Sequence, residues 1–337
     1  MSNGPFTLRK KSGWVHEKYV RLVKNSQYKG EHEVLPSGVM LTVSKQPDDI
    51  AAALLGDVID AAPLPAGQLD SAEQANLPMV RFADTTWGLC LNTRKGVLSS
   101  TLVRRAFLSA IDRDEVLNVT PPHLTPTTDL IPAETTFLGE PFRGQAGQLI
   151  LPSFDAGQAS QFLREGLASL GVNDLPALSI LCPDTFEMKS LANNLAASWK
   201  KGLGYYLAIE PVSEAELKKR VHSGNYQIAI TSLTSPSADP WDFLSLFSTD
   251  SAQNPAGYQS DTFDALLMAD AATPEEELAL LCQAESHLVA DGVFYPLYGE
   301  NHYYVTGPTV TGLIIRPFGG IVDFSRAGKL KLESVRG

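Results

Sequence analysis

The chain has 337 residues, a mass of 36.4 kDa and a formal charge of −11. At ~150 residues per domain this length suggests about two domains. Hydrophobic residues make up 44% and charged residues 19%, which excludes a wholly disordered chain. No apolar run reaches the ~18 residues of a membrane-spanning helix, and the acidic balance argues against binding nucleic acid through global charge.

Charge is unevenly placed. Arg9, Lys10, Lys11, Lys18, Arg21, Lys24 and Lys29 lie in the first thirty residues with one acid, Glu17. The simplest account is the solvent face of a curled pair of strands. Phe6 and Leu8 alternate with polar neighbours, and a second run, Tyr19–Val23, follows, which predicts a hairpin. A strand is expected at Gly38–Val43 and a helix at Pro47–Gly56, with Pro47, Asp48 and Asp49 suited to its first turn. A short buried strand is expected at Val58–Ala61, and another strand at Thr86–Asn92. Leu102, Val103, Ala106, Phe107, Ala110 and Ile111 then share one helical face behind Ser99-Ser100. Asp112-Arg113-Asp114 is read as the polar end of that helix, and residues 120–152 as a proline-rich loop.

The middle of the chain alternates helix and strand. Asp155 with Gln158 opens a helix to Leu170, and Leu178–Leu181 is a strand. Phe186–Lys201 is a helix ended by Gly202, Tyr205–Glu210 a strand, Ser213–His222 a capped helix and Tyr226–Thr231 a strand. Strands separated by helices indicate parallel pairing and an α/β body. Helices follow at Ser260–Asp270 and Thr273–Ala290, then strands at Phe294–Tyr298 and Tyr303–Val305 and an extended tail over Val310–Asp323.

Catalytic and metal signatures are missing. There is no GxSxG, HExxH, Walker A or GxGxxG opening a helix, and the six histidines show no metal-ligand spacing. Cys90, Cys182 and Cys282 sit among apolar neighbours and read as buried small hydrophobes. No cofactor or metal is expected. Thr231–Ser237 is unusual because it is rich in small hydroxyl residues and follows a strand directly. Ligands in open α/β sheets bind beyond the carboxyl ends of strands, so Leu233, Thr234, Ser235 and Ser237 are candidate ligand contacts. For residues 239–243 the simpler reading is that Asp239-Pro240 starts a helix, with Trp241 and Phe243 packing inward.

An ordered series of short motifs runs along nearly the whole chain. Gly4-Pro5-Phe6-Thr7-Leu8 precedes Leu22 to Tyr28, a G-P-[YF]-x-L … L-x-x-N-x-x-Y hairpin. Gly56-Asp57-Val58-Ile59-Asp60 is followed by Leu91-Asn92-Thr93, Val103–Phe107 and Ala110-Ile111-Asp112-Arg113. Asp239-Pro240 with Phe243-Leu244, then Asn254, Tyr258 and Tyr295-Pro296-Leu297-Tyr298, complete the series. In these motifs the chain resembles the extracellular solute-binding proteins of the oligopeptide/dipeptide/nickel class, which feed ABC importers.

The resemblance implies an α/β, periplasmic-binding-protein-like type II two-lobed fold (cluster C) with an incomplete first lobe. Residues 1–90 and 300–337 would be the remainder of lobe one and 91–299 would be lobe two, with hinge strands near Leu89–Asn92 and Tyr295–Tyr298. It implies an N-terminally truncated chain, prone to self-association, whose full-length form is extracellular or periplasmic and lipoprotein-anchored. The implied function is non-enzymatic: a peptide or other small solute is held between lobes and handed to ABC-transporter permease subunits. An alternative in the same fold is the metabolite-sensing domain of an intracellular transcription regulator. Trp87, Tyr298 and Phe318 join the ligand-binding candidates by position, as does Asp239. One departure stands out. Peptide-binding members carry an acid three residues before the Asp-Pro aspartate, where it pairs with the peptide α-ammonium, whereas this chain has Pro236, and Leu233 stands in place of an aromatic. A buried ammonium with no counter-charge costs several kcal/mol, so a free-amine peptide is not expected to bind in that way, unless Asp239 or Glu300 substitutes.

Overall fold

Two contact-dense units emerge from a computed structural model that describes residues 4–30, 32–43, 49–94, 96–121, 123–318 and 322–330. Unit 1 comprises residues 1–82 and 302–337, and unit 2 comprises 83–301. The chain passes between them inside two strands. The boundaries expected at 90/91 and 299/300 fall in the same two strands.

In unit 1, β1 (Phe6–Leu8), β2 (Trp14–Val15), β3 (Tyr19–Lys24) and β4 (Gly38–Thr42) form one antiparallel sheet. The expected hairpin is its centre, with Phe6 opposite Lys24. Asn25 closes it by donating its side-chain amide to Gly4 O at 2.9 Å. The helix α1 (Ile50–Leu55) starts from Asp49, whose carboxylate accepts from Ala52 N, and stops at Gly56. Pro47 and Asp48 lie outside the described residues. The strand expected at Val58–Ala61 lies later, as β5 (Ala61–Leu64), because Val58 falls in a turn and is 77% exposed. A short helix, α2 (Leu69–Gln74), has too little apolar periodicity to be foreseen. Ile50, Leu54, Leu64, Ala72, Leu77 and Val305 form the core of this unit.

The strand β6 (Met79–Leu91) enters unit 2 and is longer than expected, since Arg81 and Asp84 interrupt the apolar residues of its first half. After it come α3 (Thr101–Ser109) and α4 (Arg113–Val116). Asp112 caps the start of α4 and does not close α3, a correction to the sequence reading. Residues 120–152 are not a bare loop. They carry β7 (Leu124–Pro126), β8 (Thr136–Phe137), β9 (Glu140–Pro141) and α5 (Phe142–Ala146). The alternating section follows as α6 (Ala156–Ser169), β10 (Ser179–Pro183), α7 (Phe186–Leu203), β11 (Ala208–Val212), α8 (Glu214–Ser223) and β12 (Ile228–Thr234). Gly202 is helical, and α7 ends at Gly204, whose φ of +79° suits a left-handed stop. The strand expected at Tyr205–Glu210 is displaced to β11 accordingly. Then come α9 (Pro240–Leu244), α10 (Asp261–Met268), α11 (Pro274–Ala290) and β13 (Phe294–Thr306). The two strands expected at 294–298 and 303–305 are one, since Gly299-Glu300-Asn301 breaks the apolar pattern without breaking the backbone. Back in unit 1, β14 (Val310–Thr311) pairs with β17 (Gly328–Lys329), and β15 (Ile314–Ile315) with β16 (Val322–Asp323).

The sheet of unit 2 runs β11-β10-β12-β6-β13. β10, β11 and β12 are parallel, and β6 is antiparallel to β12. Alternation along each strand divides the core. Leu89, Leu91, Ile180, Cys182, Ile228 and Ile230 face one cluster with Phe107, Leu163, Leu195 and Trp199 from α3, α6 and α7. Cys90, Leu181 and Ala229 face the other, with Leu217, Phe243, Phe263 and Leu281 from α8 to α11. Helices therefore cover both faces of the sheet. At Gly88 a Cβ would lie 2.4 Å from Tyr295 O, so β6 approaches β13 more closely there than a side chain permits.

Candidate functional site

Family-like motif residues turn out to brace the backbone. Arg104, 2% exposed, donates to Asp291 O, Leu98 O, Ser99 O and Thr101 Oγ1. Arg113 donates to Pro296 O and Thr127 O, both at 2.7 Å. The Asn92 amide donates to Gly224 O and Tyr226 O. The Asn254 amide donates to Phe247 O, Ser248 O and Tyr258 O, and its oxygen accepts from Tyr258 N. Each donates to two or more backbone carbonyls and so ties separate stretches of backbone together.

Beyond the carboxyl ends of β10, β11 and β12 lie the starts of α7, α8 and α9, capped by Thr185, Ser213 and Asp239. Ligands of open α/β sheets bind at such an edge. In the β6–β12 register Thr85 faces Thr234, Thr86 faces Leu233, and Trp87 faces Ser232. The period of two puts Thr85, Trp87, Ser232 and Thr234 on one face and Leu233 on the other. Leu233 packs against the cluster of α8 to α11.

The polar face forms a continuous row. Thr85 Oγ1 donates to Asp84 Oδ1 at 2.9 Å and lies 2.8 Å from Thr234 Oγ1. A hydroxyl has one hydrogen, so with Thr85 donating to Asp84 the Thr234 hydroxyl donates to Thr85. Thr234 is exposed. Two residues along β6, the Trp87 indole N–H donates to Glu300 Oε2 at 2.8 Å. His123 Nε2 lies 3.9 Å from Glu300 Oε1. Glu300 sits on β13 opposite Leu124 of β7, which places His123 beside it. Its side chain is 19% exposed.

The loop after β12 is tied to itself. Ser235, 1% exposed, donates to Ser237 O, while Ser235 N donates to Asp84 O. Ser237 Oγ donates to Asp242 Oδ2 and accepts from Asp239 N. Asp239 Oδ1 accepts from Trp241 N, the helix-start geometry expected of Asp239-Pro240. Phe243 is fully buried, whereas Trp241 is half-buried and its indole donates to Glu277. The serine hydrogens and both loop carboxylates thus have partners within the loop.

The structure brings Trp87, Thr234 and Glu300 onto one face, with Ser235, Ser237 and Asp239 in the adjoining loop. It does not bring Tyr298 to a surface. That side chain has no exposure and donates its hydroxyl to Val119 O at 2.7 Å, so it is a core residue. Phe318 is half-buried in unit 1. Sequence reasoning missed Thr85 and His123. Thr85 carried one signal, its place two residues before Trp87 on a strand.

Among the described residues no group of three or more His, Cys, Asp or Glu side chains is placed to hold a metal ion. Burial pushes the Cys90 thiol up to about 12 and the Cys182 thiol up to about 11, which makes both unreactive at neutral pH. Cys282 is half-buried, less enclosed than the sequence suggested. Ser260 Oγ and Asp291 Oδ2 both approach the same His287 nitrogen, Nε2, at 3.2 and 3.6 Å. A catalytic triad needs the two on opposite ring nitrogens, so this cluster is not one. Among the described residues no helix is long and apolar enough to cross a membrane.

Residues 1–255 match the sequence family described as bacterial extracellular solute-binding proteins, family 5 Middle. The dipeptide-binding protein DppE of Bacillus subtilis (strain 168) is 25% identical over 343 residues, covering 98% of this chain and 60% of that protein. The periplasmic oligopeptide-binding protein OppA of Salmonella typhimurium is 25% identical over 330 residues, covering 92% of this chain and 56% of that protein. Among solved structures, peptide-bound OppA of Listeria monocytogenes gives a TM-score of 0.69 at 23% identity over 98% of this chain and 65% of that one. The Pseudoalteromonas sp. SM9913 dipeptide-binding protein in complex with Met-Leu gives 0.71 at 20% identity over 97% and 64%. These structural matches establish the fold expected from the sequence, the two-lobed periplasmic-binding-protein class. The chain spans about 60% of the length of the curated relatives it matches. By the match over residues 1–255, the chain belongs to the bacterial extracellular solute-binding proteins of family 5.

Proposed function

We propose that this chain is the solute-binding part of an ABC importer acting outside the cytoplasmic membrane. Its cargo is a peptide or a related small solute, held by hydrogen bonds and shape at the polar row of unit 2, with no bond broken. Its partners are the permease subunits that receive the cargo. The observation that carries this reading is the family match together with a row of polar side chains, ending in the exposed Thr234, at the strand ends where α/β sheets bind ligands. In the loop after β12, Asp239 caps α9 and Asp242 accepts from Ser237, so one oxygen of each carboxylate is engaged within the loop.

Thermal unfolding with a peptide mixture tests the reading. A ligand that binds only the native state at a hundredfold excess over its Kd adds about 2.7 kcal/mol of stability. A midpoint rise of several degrees with at least one peptide pool is expected. An unchanged midpoint with every peptide and small-solute pool would refute the assignment.

A further inference from the structure

The four-stranded sheet of unit 1 has an apolar face left open among the described residues. Opposite residues of an antiparallel pair project to the same side of a sheet, and successive residues to opposite sides. The register therefore gathers Leu8, Trp14, Val20, Leu22 and Leu41 on one face. Val43 continues it, since its N–H donates to Lys18 O one step beyond the Tyr19–Thr42 pair. Leu8 is 52%, Trp14 61%, Leu41 43% and Val43 56% exposed. Among the described residues, no residue of β1 to β4 is buried and none belongs to the core of this unit.

Cations lie at the ends of these strands. Arg9, Lys10 and Lys11 are in the loop from β1 to β2, Lys18 is in the turn into β3 and Lys29 lies beyond the end of β3, all of them exposed. Residues 4–43 hold seven Lys or Arg against three Glu, a net +4 in a chain of net −11. One of those acids, Glu33, lies 3.7 Å from Lys24. A contiguous exposed apolar face marks an interaction surface. A second copy seated on it would bring like charges together, which is repulsive, whereas an anionic surface complements them. Tryptophan and aliphatic side chains flanked by Lys and Arg make up a membrane-interface element, with the ring at headgroup level and the cations on acidic lipid phosphates.

We propose that the apolar face of the β1–β4 sheet docks on an anionic phospholipid surface, with Leu8, Trp14 and Leu41 entering the interfacial layer and Lys10, Lys11 and Lys18 meeting the lipid phosphates. This concerns unit 1 alone and stands independently of the cargo. Each cation brought to an acidic bilayer tightens binding about fivefold, and salt screens the gain. Trp14 reports the contact, because indole emission shifts to the blue when the ring leaves water. Trp87 and Trp199 are already shielded, at 8% and 0% exposure.

Sedimentation of the whole chain with vesicles of equal parts phosphatidylglycerol and phosphatidylcholine, and with vesicles of phosphatidylcholine alone, tests this. The acidic vesicles should bind about tenfold or more tighter, and the difference should vanish at about 1 M salt, where the Debye length falls to about 3 Å. Tryptophan emission should shift to the blue on the acidic vesicles, and Trp14→Phe should lose that shift. Lys10→Glu combined with Lys18→Glu should weaken binding about tenfold or more. The wild-type comparison of the two vesicles stands whether or not a variant folds. Equal binding to both vesicles, or binding to neither, would overturn the proposal, as would binding that leaves the Trp14 emission unchanged. A dimer in light scattering that Leu41→Lys dissociates would assign the face to a second copy and overturn it as well.

Discussion

Arg143→Met is expected to lower the unfolding free energy by about 3 kcal/mol at neutral pH, because it strands a buried carboxylate. Glu285 lies on α11 with a side chain only 2% exposed. Arg143, on α5, donates to it at 2.5 Å and also pairs with Asp129 at 3.1 Å. Ile131 N donates to Glu285 at 3.2 Å. The trio joins the proline-rich segment to the helix beneath it, alongside the buried Leu130, Ile131, Phe137 and Phe142. Burial holds the Glu285 carboxyl above its ordinary value, and Arg143 opposes that rise. Where the folded pKa exceeds the unfolded one, the native state binds more protons, so stability falls as pH rises between the two values. The contribution is complete below the unfolded pKa and is lost as pH climbs through the folded one. Without Arg143 the folded pKa rises further, and that decline becomes larger. The penalty of Arg143→Met should therefore be greatest at neutral pH and should shrink toward pH 4. Glu285→Gln, which still accepts from Arg143 and Ile131 N, should cost less and show less pH dependence. Urea unfolding of the three proteins across this range checks it. A penalty for Arg143→Met that does not change with pH would show that Glu285 is not the group left uncompensated.

Trp199→Ala should cost about 3–5 kcal/mol, the range for truncating a buried large aromatic. Trp199 is fully buried, and its ring meets Phe107 edge-on at 5.3 Å. Its indole donates at 2.8 Å to Phe107 O, in the last turn of α3, where carbonyls lack helical donors. The preceding residue acts on the same helix end. Ser198 Oγ donates to Ala110 O and accepts from Asp112 N. Two adjacent residues of α7 thus close α3 and launch α4. Trp199→Phe keeps most of the packing and loses the hydrogen bond, so about 1–2 kcal/mol is expected. Chemical denaturation resolves the two values, and an alanine variant within 1 kcal/mol of wild type would contradict this account of the core.

Much of unit 2 is legible in the sequence because its signals are local. The helix starts at Asp155, Ser213, Ser260 and Thr273 are capping side chains, and each accepts a backbone N–H in the structure. The alternation from β10 to β12 follows from apolar periodicity. What was hidden depends on partners far along the chain. Nothing local marks β13 as continuous through Gly299-Glu300-Asn301, since pairing with β7 and β5 carries it across. Gly202 resembles a helix stop, yet α7 runs on to Gly204. The motifs that carry the family resemblance mark the frame, as Asn92, Arg104, Arg113 and Asn254 show, and say little about the cargo. Tyr298, placed among the ligand contacts by position in the resemblance alone, fills the core. Glu300 is paired with a tryptophan 213 residues away, a juxtaposition that no spacing rule could reveal.

The central claim is that this chain captures a solute and returns it unaltered. Native mass spectrometry of the chain incubated with a defined mixture of short peptides, followed by identification of the released material, tests it most directly. One peptide bound per chain, recovered with its original mass, is the predicted result. No retained peptide from any mixture, or recovery of cleaved or otherwise altered peptide, would contradict the account.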